Sequence, residues 1–475
     1  YKTTAIRQRR CRCACVITIT TIEEDTGLTL EQDSIRLLQD ALAKLEHGFD
    51  LLPAFQPPQD YAAIGQVLNE VTERLHDNYP YPHPLSAGQM MKPPHPIARL
   101  AYSLALWINP NNHSLDGGRA SSVMEKEAVA EIAAMFGWPT HLGHLCGGGT
   151  LANLEALWVA GQLHPGKKTL ASSLAHYTHA RLSEVLGNAF GTVAADASGK
   201  MDLDALQQQL TPGDVGTVVI TLGSTGTGSL DPLPAILELR RQYDFRVHVD
   251  AAYGGYFTLV ETLNDGARAI FDAISEADSI VVDPHKHGLQ PYGCGCVLFR
   301  DPAVGAIYRH DSPYTYFTST ELHLGEISLE CSRPGAAAVA LWATQQLLPL
   351  HAGGEFSRGL ARSLLAAQTL YGYLNNDDRY LTTMVPELDI VVWGVRAQTA
   401  SEISQRNRKL FKQAAAAGLH LALLELPATL LAAHWPAVDF DNESVTCLRS
   451  CLMKPEHLDW CAAIWQILDD LGGPH

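Results

Sequence analysis

The stretch Ser279-Ile-Val-Val-Asp-Pro-His-Lys-His-Gly-Leu-Gln-Pro-Tyr-Gly-Cys-Gly-Cys-Val-Leu-Phe-Arg300 decides how the remainder of the chain folds. Ile280 to Val282 form an apolar, β-branched run as long as a buried strand, and the Asp-Pro pair that follows cannot continue one. Cys296 to Phe299 predict a second strand. Lys286, flanked by His285 and His287, therefore sits in a turn between two rigid elements. In isolation such a turn reads equally well as a solvated basic loop.

A second stretch, Phe245-Arg-Val-His-Val-Asp-Ala-Ala-Tyr-Gly-Gly255, moves the balance. Val247 and Val249 alternate as in a strand, and Asp250 falls at its carboxyl end, where open α/β sheets present ligand-binding groups. The small residues Ala251, Ala252, Gly254 and Gly255 leave room for a flat group against the backbone. A lysine and a carboxylate at neighbouring strand ends are the two protein groups that pyridoxal phosphate requires. The lysine forms the Schiff base, and the acid keeps the pyridine nitrogen protonated.

With Asp-x-His-Lys at 283–286 and His-Val-Asp-Ala-Ala at 248–252, the chain resembles the group II pyridoxal-phosphate-dependent amino-acid decarboxylases. This family includes the aromatic-amino-acid, glutamate, cysteine-sulfinate and diaminobutyrate decarboxylases. Matching segments run in family order from about Leu75 to Trp342. The resemblance implies an α/β protein with a type I, aspartate-aminotransferase-like large domain and a mostly parallel sheet, plus a small C-terminal α+β domain. It further implies pyridoxal 5'-phosphate as cofactor, an L-amino acid as substrate, an amine and CO₂ as products, and a homodimer.

The resemblance also carries roles onto particular residues. Lys286, Asp250, His176 and Tyr314 take the catalytic roles. His176 stacks on the cofactor ring, and Tyr314, on a mobile loop, supplies the proton to Cα that yields the amine or shields the intermediate from oxygen, with Tyr316 and Phe317 leaving the loop's register open. Gly149 and Thr150 hold the phosphate, and Thr225, Ala252, Asp283 and His285 complete the cofactor site. Arg333 matches a Ser-Arg motif, while His83 and Gln89 fall in a segment that lines the substrate pocket partly across the dimer interface. Either of the latter two reads equally as part of a surface loop. His287 stands where the family often has Trp. Oxidative decarboxylation–deamination to an aldehyde and a non-catalytic dimeric homologue are the alternatives, disfavoured by Tyr314 and by the joint presence of Lys286, Asp250 and His176 respectively.

The 475 residues exceed one ordinary domain. The expected divisions are 1–27, of no assigned role, 28–105, helical then proline-rich, 106–350, the cofactor domain, and 351–475, the small domain. Acidic residues outnumber basic ones 51 to 34, for a net charge of −17, which argues against a nucleic-acid partner. No run approaches the length of a membrane span. Ten scattered cysteines fit a reducing compartment, so a cytoplasmic protein is expected, with no metal site at Cys11-x-Cys13-x-Cys15.

Local patterns complete the reading. Ile35, Leu38, Leu42 and Leu45 have helical spacing, and the proline-rich tract from Asn78 to Pro96 forbids helix. Ser122-Val-Met-Glu125 reads as a capping box. Cys146-Gly-Gly-Gly-Thr-Leu-Ala-Asn153 opens a helix whose first N–H groups attract an anion. Strand and helix then alternate, so that strand ends bring Thr225, Asp250 and Lys286 to one sheet edge. A polar, aromatic segment from Tyr308 to Thr320 predicts a lid.

Overall fold

Apolar strands separated by amphipathic helices build a sheet covered on both faces, as that pattern dictates. A computed structural model describes residues 32–53, 55, 57–309 and 321–472. The basic N-terminal stretch and Tyr314, Tyr316 and Phe317 lie outside the described residues. Helices α1 (Gln32–His47), α2 (Tyr61–Leu75), α3 (Pro96–Leu106) and α4 (Arg119–Met135) precede the sheet.

The large sheet contains β1 (Leu142–Cys146), β2 (Lys168–Ser172), β3 (Phe190–Val193), β4 (Val215–Thr221), β5 (Arg246–Asp250), β6 (Ser279–Val282) and β7 (Gly295–Phe299). Their order is β1-β7-β6-β5-β4-β2-β3. From β3 through β6 all neighbours pair in parallel, and β7 alone runs antiparallel to the strands on either side of it. Crossovers include α5 (Gly149–Leu163), α6 (Thr178–Leu186), α7 (Leu203–Leu210), α8 (Leu233–Arg240) and α9 (Asp265–Asp272). Strands β4, β6 and β7 are buried along their whole length and β5 everywhere but Arg246, so the Val and Ile runs of β4 and β6 follow from having two covered faces.

A second, antiparallel sheet of β8 (Tyr380–Thr382), β9 (Ile390–Val395), β10 (Ala422–Pro427) and β11 (Ser444–Cys451) has the order β10-β11-β9-β8. Its Ile390, Val392 and Leu426 join the same hydrophobic cluster as Val247, Val249 and Ile280 of the large sheet. This is the expected α/β architecture, a mostly parallel sheet followed by a small α+β unit.

Two sequence expectations are corrected here. Ser122 and Glu125 form no capping box, because α4 begins a turn earlier, with Gly118 as its N-cap and Ser122 N donating to Gly118 O. The Glu125 carboxylate turns inward and accepts from Asn112 Nδ2 at 2.6 Å, Leu145 N at 3.0 Å and Arg333 Nη1 at 2.7 Å. Tyr308, expected to open the lid, is buried against Trp158, and its hydroxyl donates to Glu155 Oε2.

Candidate active site

Parallel strands end together, and the loops after β4, β5 and β6 meet the start of α5 around a cavity of about 490 Å³. Gly149, Thr150, His176, Thr225, Asp250, Ala252, Asp283, His285 and Lys286 all line it. The nine residues expected at a cofactor site thus converge on one cavity.

Each is held by local chemistry. Asp250 is the last residue of β5, and its backbone C=O accepts from Leu222 N at 2.9 Å while its side chain lines the cavity. Lys286 Nζ lies 3.1 Å from Asp283 Oδ2, three residues earlier in the turn. The other oxygen, Asp283 Oδ1, is buried and meets no hydrogen-bond partner among the described residues. His285 Nδ1 donates to Cys294 O at 2.8 Å, tying the turn back to the start of β7. Backbone Gly148 has φ of +143°, a conformation open to glycine, and a Cβ on Gly149 would meet Asp283 Oδ2 at 2.7 Å. The glycines therefore let α5 begin directly against the Asp283–Lys286 turn.

Electrostatics centre on Asp250. Burial pushes its carboxyl up, but the hydrogen bond and charge of His179 together with Lys286 outweigh burial and hold it well below the usual carboxylate range. His179 Nε2 donates to Asp250 Oδ2 at 2.8 Å, Asn153 Nδ2 approaches the same oxygen at 3.4 Å, and Ala252 N donates to Oδ1 at 3.1 Å. Behind Asn153, His248 Nε2 donates to Asn153 Oδ1 at 2.8 Å, and burial pushes that imidazole down to about 3. His176 is also lowered, chiefly by burial, and its Nδ1 faces Thr178 Oγ1 at 2.8 Å.

His179, Asn153 and His248 did not emerge from the sequence as site residues. His179 had one available signal, its position one helical turn after His176. His287 points away from the cavity; it is buried between Tyr253 and Phe257, with Nε2 3.2 Å from Asp389 Oδ2. The Trp-to-His difference therefore does not alter the polarity of the cavity wall.

Three expected substrate residues fall elsewhere. Arg333 is a correction: its guanidinium is buried, donates to Glu125 and Leu145 O, and does not line the cavity. A buried guanidinium needs such partners, and Glu125 and the Leu145 carbonyl supply them to Nη1. Gln89 lines a separate cleft with Tyr79, Tyr81 and His420, and His83 packs edge-on against Trp460, so neither lines the Lys286 cavity of its own chain.

Residues 162–394 match the model of the pyridoxal-dependent decarboxylase conserved domain. The chain is 32% identical to a probable L-aspartate decarboxylase of Halobacterium salinarum, over 54% of this chain and 70% of the relative. The chain belongs to the pyridoxal-dependent decarboxylase family. It is 26% identical to the L-tyrosine decarboxylase of Enterococcus faecium, over 77% of this chain and 78% of that protein. In fold it is similar to the crystal structure of Oryza sativa TDC with PLP and tryptamine, with TM-score 0.75 and 17% identity, over 94% of this chain and all of the other.

This decarboxylase acts on an amino acid, with pyridoxal 5'-phosphate as its cofactor. The matched domain and the relatives favour neither the oxidative nor the non-catalytic alternative. The residues present fit that cofactor. An ionised acid, a lysine, an unpartnered buried carboxylate oxygen and the open N–H groups at the start of a 15-residue helix surround one cavity.

The depressed Asp250 carboxyl makes a stability prediction with a definite sign. Its folded-state pKa lies below the unfolded value near 3.9, so its contribution is complete above about pH 4 and is lost as pH falls toward the folded value. Denaturant unfolding of the apo-protein and of Asp250→Asn between pH 7 and pH 3 should give a free-energy difference that shrinks below about pH 4. A difference independent of pH would contradict the ionised carboxylate.

Proposed function

We propose that Lys286 carries the cofactor, Asp250 holds its ring nitrogen protonated, and the chain releases CO₂ from an aromatic L-amino acid. The observation that carries this reading is the meeting of Lys286, Asp250 and the Gly149–Thr150 helix start in one cavity. When bound, the cofactor supplies an aldehyde that links to amines and a pyridinium ring that accepts electron density as CO₂ leaves.

The protein's own groups do the rest. Asp283 positions the Lys286 amine from 3.1 Å away. Gly149 and Thr150 present their N–H groups to the phosphate, where the helix dipole favours an anion, and Thr225 closes that end. His176 is kept neutral near pH 7 by burial, and Thr178 N and Oγ1 both approach its Nδ1, which leaves the proton on Nε2. It thus offers a flat, uncharged ring and one N–H donor. Ala252 gives the opposite wall a small side chain, His285 braces the Lys286 turn, and Tyr314, which lies outside the described residues, would supply the proton to Cα.

Lys286 is the sole lysine or arginine among the described residues lining the cavity. A buried distal carboxylate without a second cation would be costly, which supports an aromatic side chain over an acidic one. The Tyr292 ring packs on His285, with ring centres 4.7 Å apart, and so sets an aromatic side chain beside the lysine turn. The Enterococcus relative is named for tyrosine and the Halobacterium relative for aspartate; the charge of the lining favours the former.

We further propose a homodimer in the cytoplasm. Helix α2 buries none of its residues, and Ile64, Val67, Leu68, Val71 and Leu75 form one stripe, each 41–60% exposed. Such a stripe on every copy suits a two-fold, self-complementary contact that covers it.

Three measurements test these points. Borohydride reduction followed by peptide mass spectrometry should find the cofactor on Lys286, and the adduct should vanish in Lys286→Ala; an adduct on another lysine would overturn the assignment. In a panel of L-amino acids, kcat/KM for L-tyrosine should exceed that for L-aspartate by about tenfold or more, and the reverse ranking would reject the aromatic substrate. Sedimentation should report a dimer for the parent chain and a shift toward monomer for Val67→Glu/Leu68→Glu. A parent that stays monomeric and fully active at nanomolar concentration would reject the dimer.

A further inference from the structure

We infer that His179 is a positioning residue for the reaction, acting entirely through Asp250 to fix which carboxylate oxygen meets the cofactor's ring nitrogen. The inference rests on the cofactor assignment above and concerns a histidine that touches neither the cavity nor, by its place, the substrate. His179 lies in the first turn of α6 and is 0% exposed.

An ionised carboxylate offers roughly four lone-pair sites, two on each oxygen. On Asp250, Oδ2 faces two donors, His179 Nε2 at 2.8 Å and Asn153 Nδ2 at 3.4 Å. Oδ1 faces one, the Ala252 backbone N–H at 3.1 Å. The protein thus fills Oδ2 and leaves one acceptor site on Oδ1.

Of the two Oδ2 donors, Asn153 is itself held in orientation by a further hydrogen bond. Asn153 Oδ1 accepts from His248 Nε2 at 2.8 Å, so the amide must turn its NH₂ toward Asp250. With Nε2 donating to Asn153 Oδ1, His248 Nδ1 is left to accept from Ser279 Oγ, 2.8 Å away. His179 needs no such relay. Its Nδ1 is buried with no hydrogen-bond partner among the described residues, so its one directional contact is the bond to Asp250. A buried ring nitrogen left without a partner is a cost that packing alone would have removed. The ring sits there for its donor, and that donor saturates Oδ2.

The consequence is that a third of the hydrogen bonding that holds Asp250 comes from a side chain outside the cavity. A double-mutant cycle on cofactor affinity separates this role from simple packing. Apo-forms of the parent, His179→Phe, Asp250→Asn and the double variant would be titrated with pyridoxal phosphate, with absorbance giving Kd and thermal melts of each apo-form checking the fold. His179→Phe keeps a flat aromatic ring, though a larger one, and removes the donor. With Asp250 present it should weaken Kd by roughly 10- to 100-fold. In the Asp250→Asn background, its further effect should be under about threefold. His179→Gln, which retains an N–H donor, should recover part of the loss and serves in the same cycle if the Phe variant does not fold. Equal losses in both backgrounds, or none in either, would overturn the inference. If the parent apo-protein itself fails to bind the cofactor, the cofactor reading falls instead.

Discussion

The structure depends on keeping one carboxylate, Asp250, ionised at the carboxyl end of a buried strand. Removing an isolated carboxylate from water costs several kcal/mol even after the protein relaxes. Hydrogen bonds to a charged group contribute about 1.5–3 kcal/mol each. Three surround Asp250, from His179, Asn153 and the Ala252 backbone, so on the order of the full penalty is offset before any ligand arrives. Lys286 adds a cation across the cavity that pulls in the same direction.

The parallel sheet makes this arrangement possible at small cost elsewhere. Strands β4, β5 and β6 finish at one edge, so the loops bearing Thr225, Asp250 and Lys286 need no long excursions to meet. Helix α5 starts at the same edge because glycines at 148 and 149 permit contact with the Asp283 turn that a side chain would block. The small sheet is not a passive appendage. Arg449 of β11 donates from Nη1 to Thr225 O at 2.7 Å and from Nη2 to Gly88 O at 3.1 Å, so it ties the proline-rich tract to the cavity's rim.

Much of this was legible in the amino-acid sequence, for a physical reason. Asp250, Lys286 and the glycine loop sit at strand ends or helix starts, where period, β-branching and turn residues mark the boundary. Contacts between distant segments leave no such mark. Glu125 looked like a capping residue because Ser-x-x-Glu has the same spacing inside a helix as at its start. Its partner Arg333 lies 208 positions away, and no local pattern could join them. His179 was passed over because a histidine one turn into a helix carries no sign of facing a carboxylate 71 positions on. His83 and Gln89 rest on the family resemblance of the proline-rich tract, whose expected contacts run partly across a subunit interface, and within their own chain both lie away from the Lys286 cavity.

The account's central claim, that the ionised Asp250 carboxylate keeps the cofactor's ring nitrogen protonated, can be measured at that nitrogen. With pyridoxal phosphate labelled with ¹⁵N in the ring and bound to the parent protein, the ¹⁵N chemical shift near pH 7 should be that of a protonated pyridinium. A shift characteristic of the unprotonated pyridine would contradict the account, because Asp250 would then be holding no proton at the atom its whole environment is built to serve.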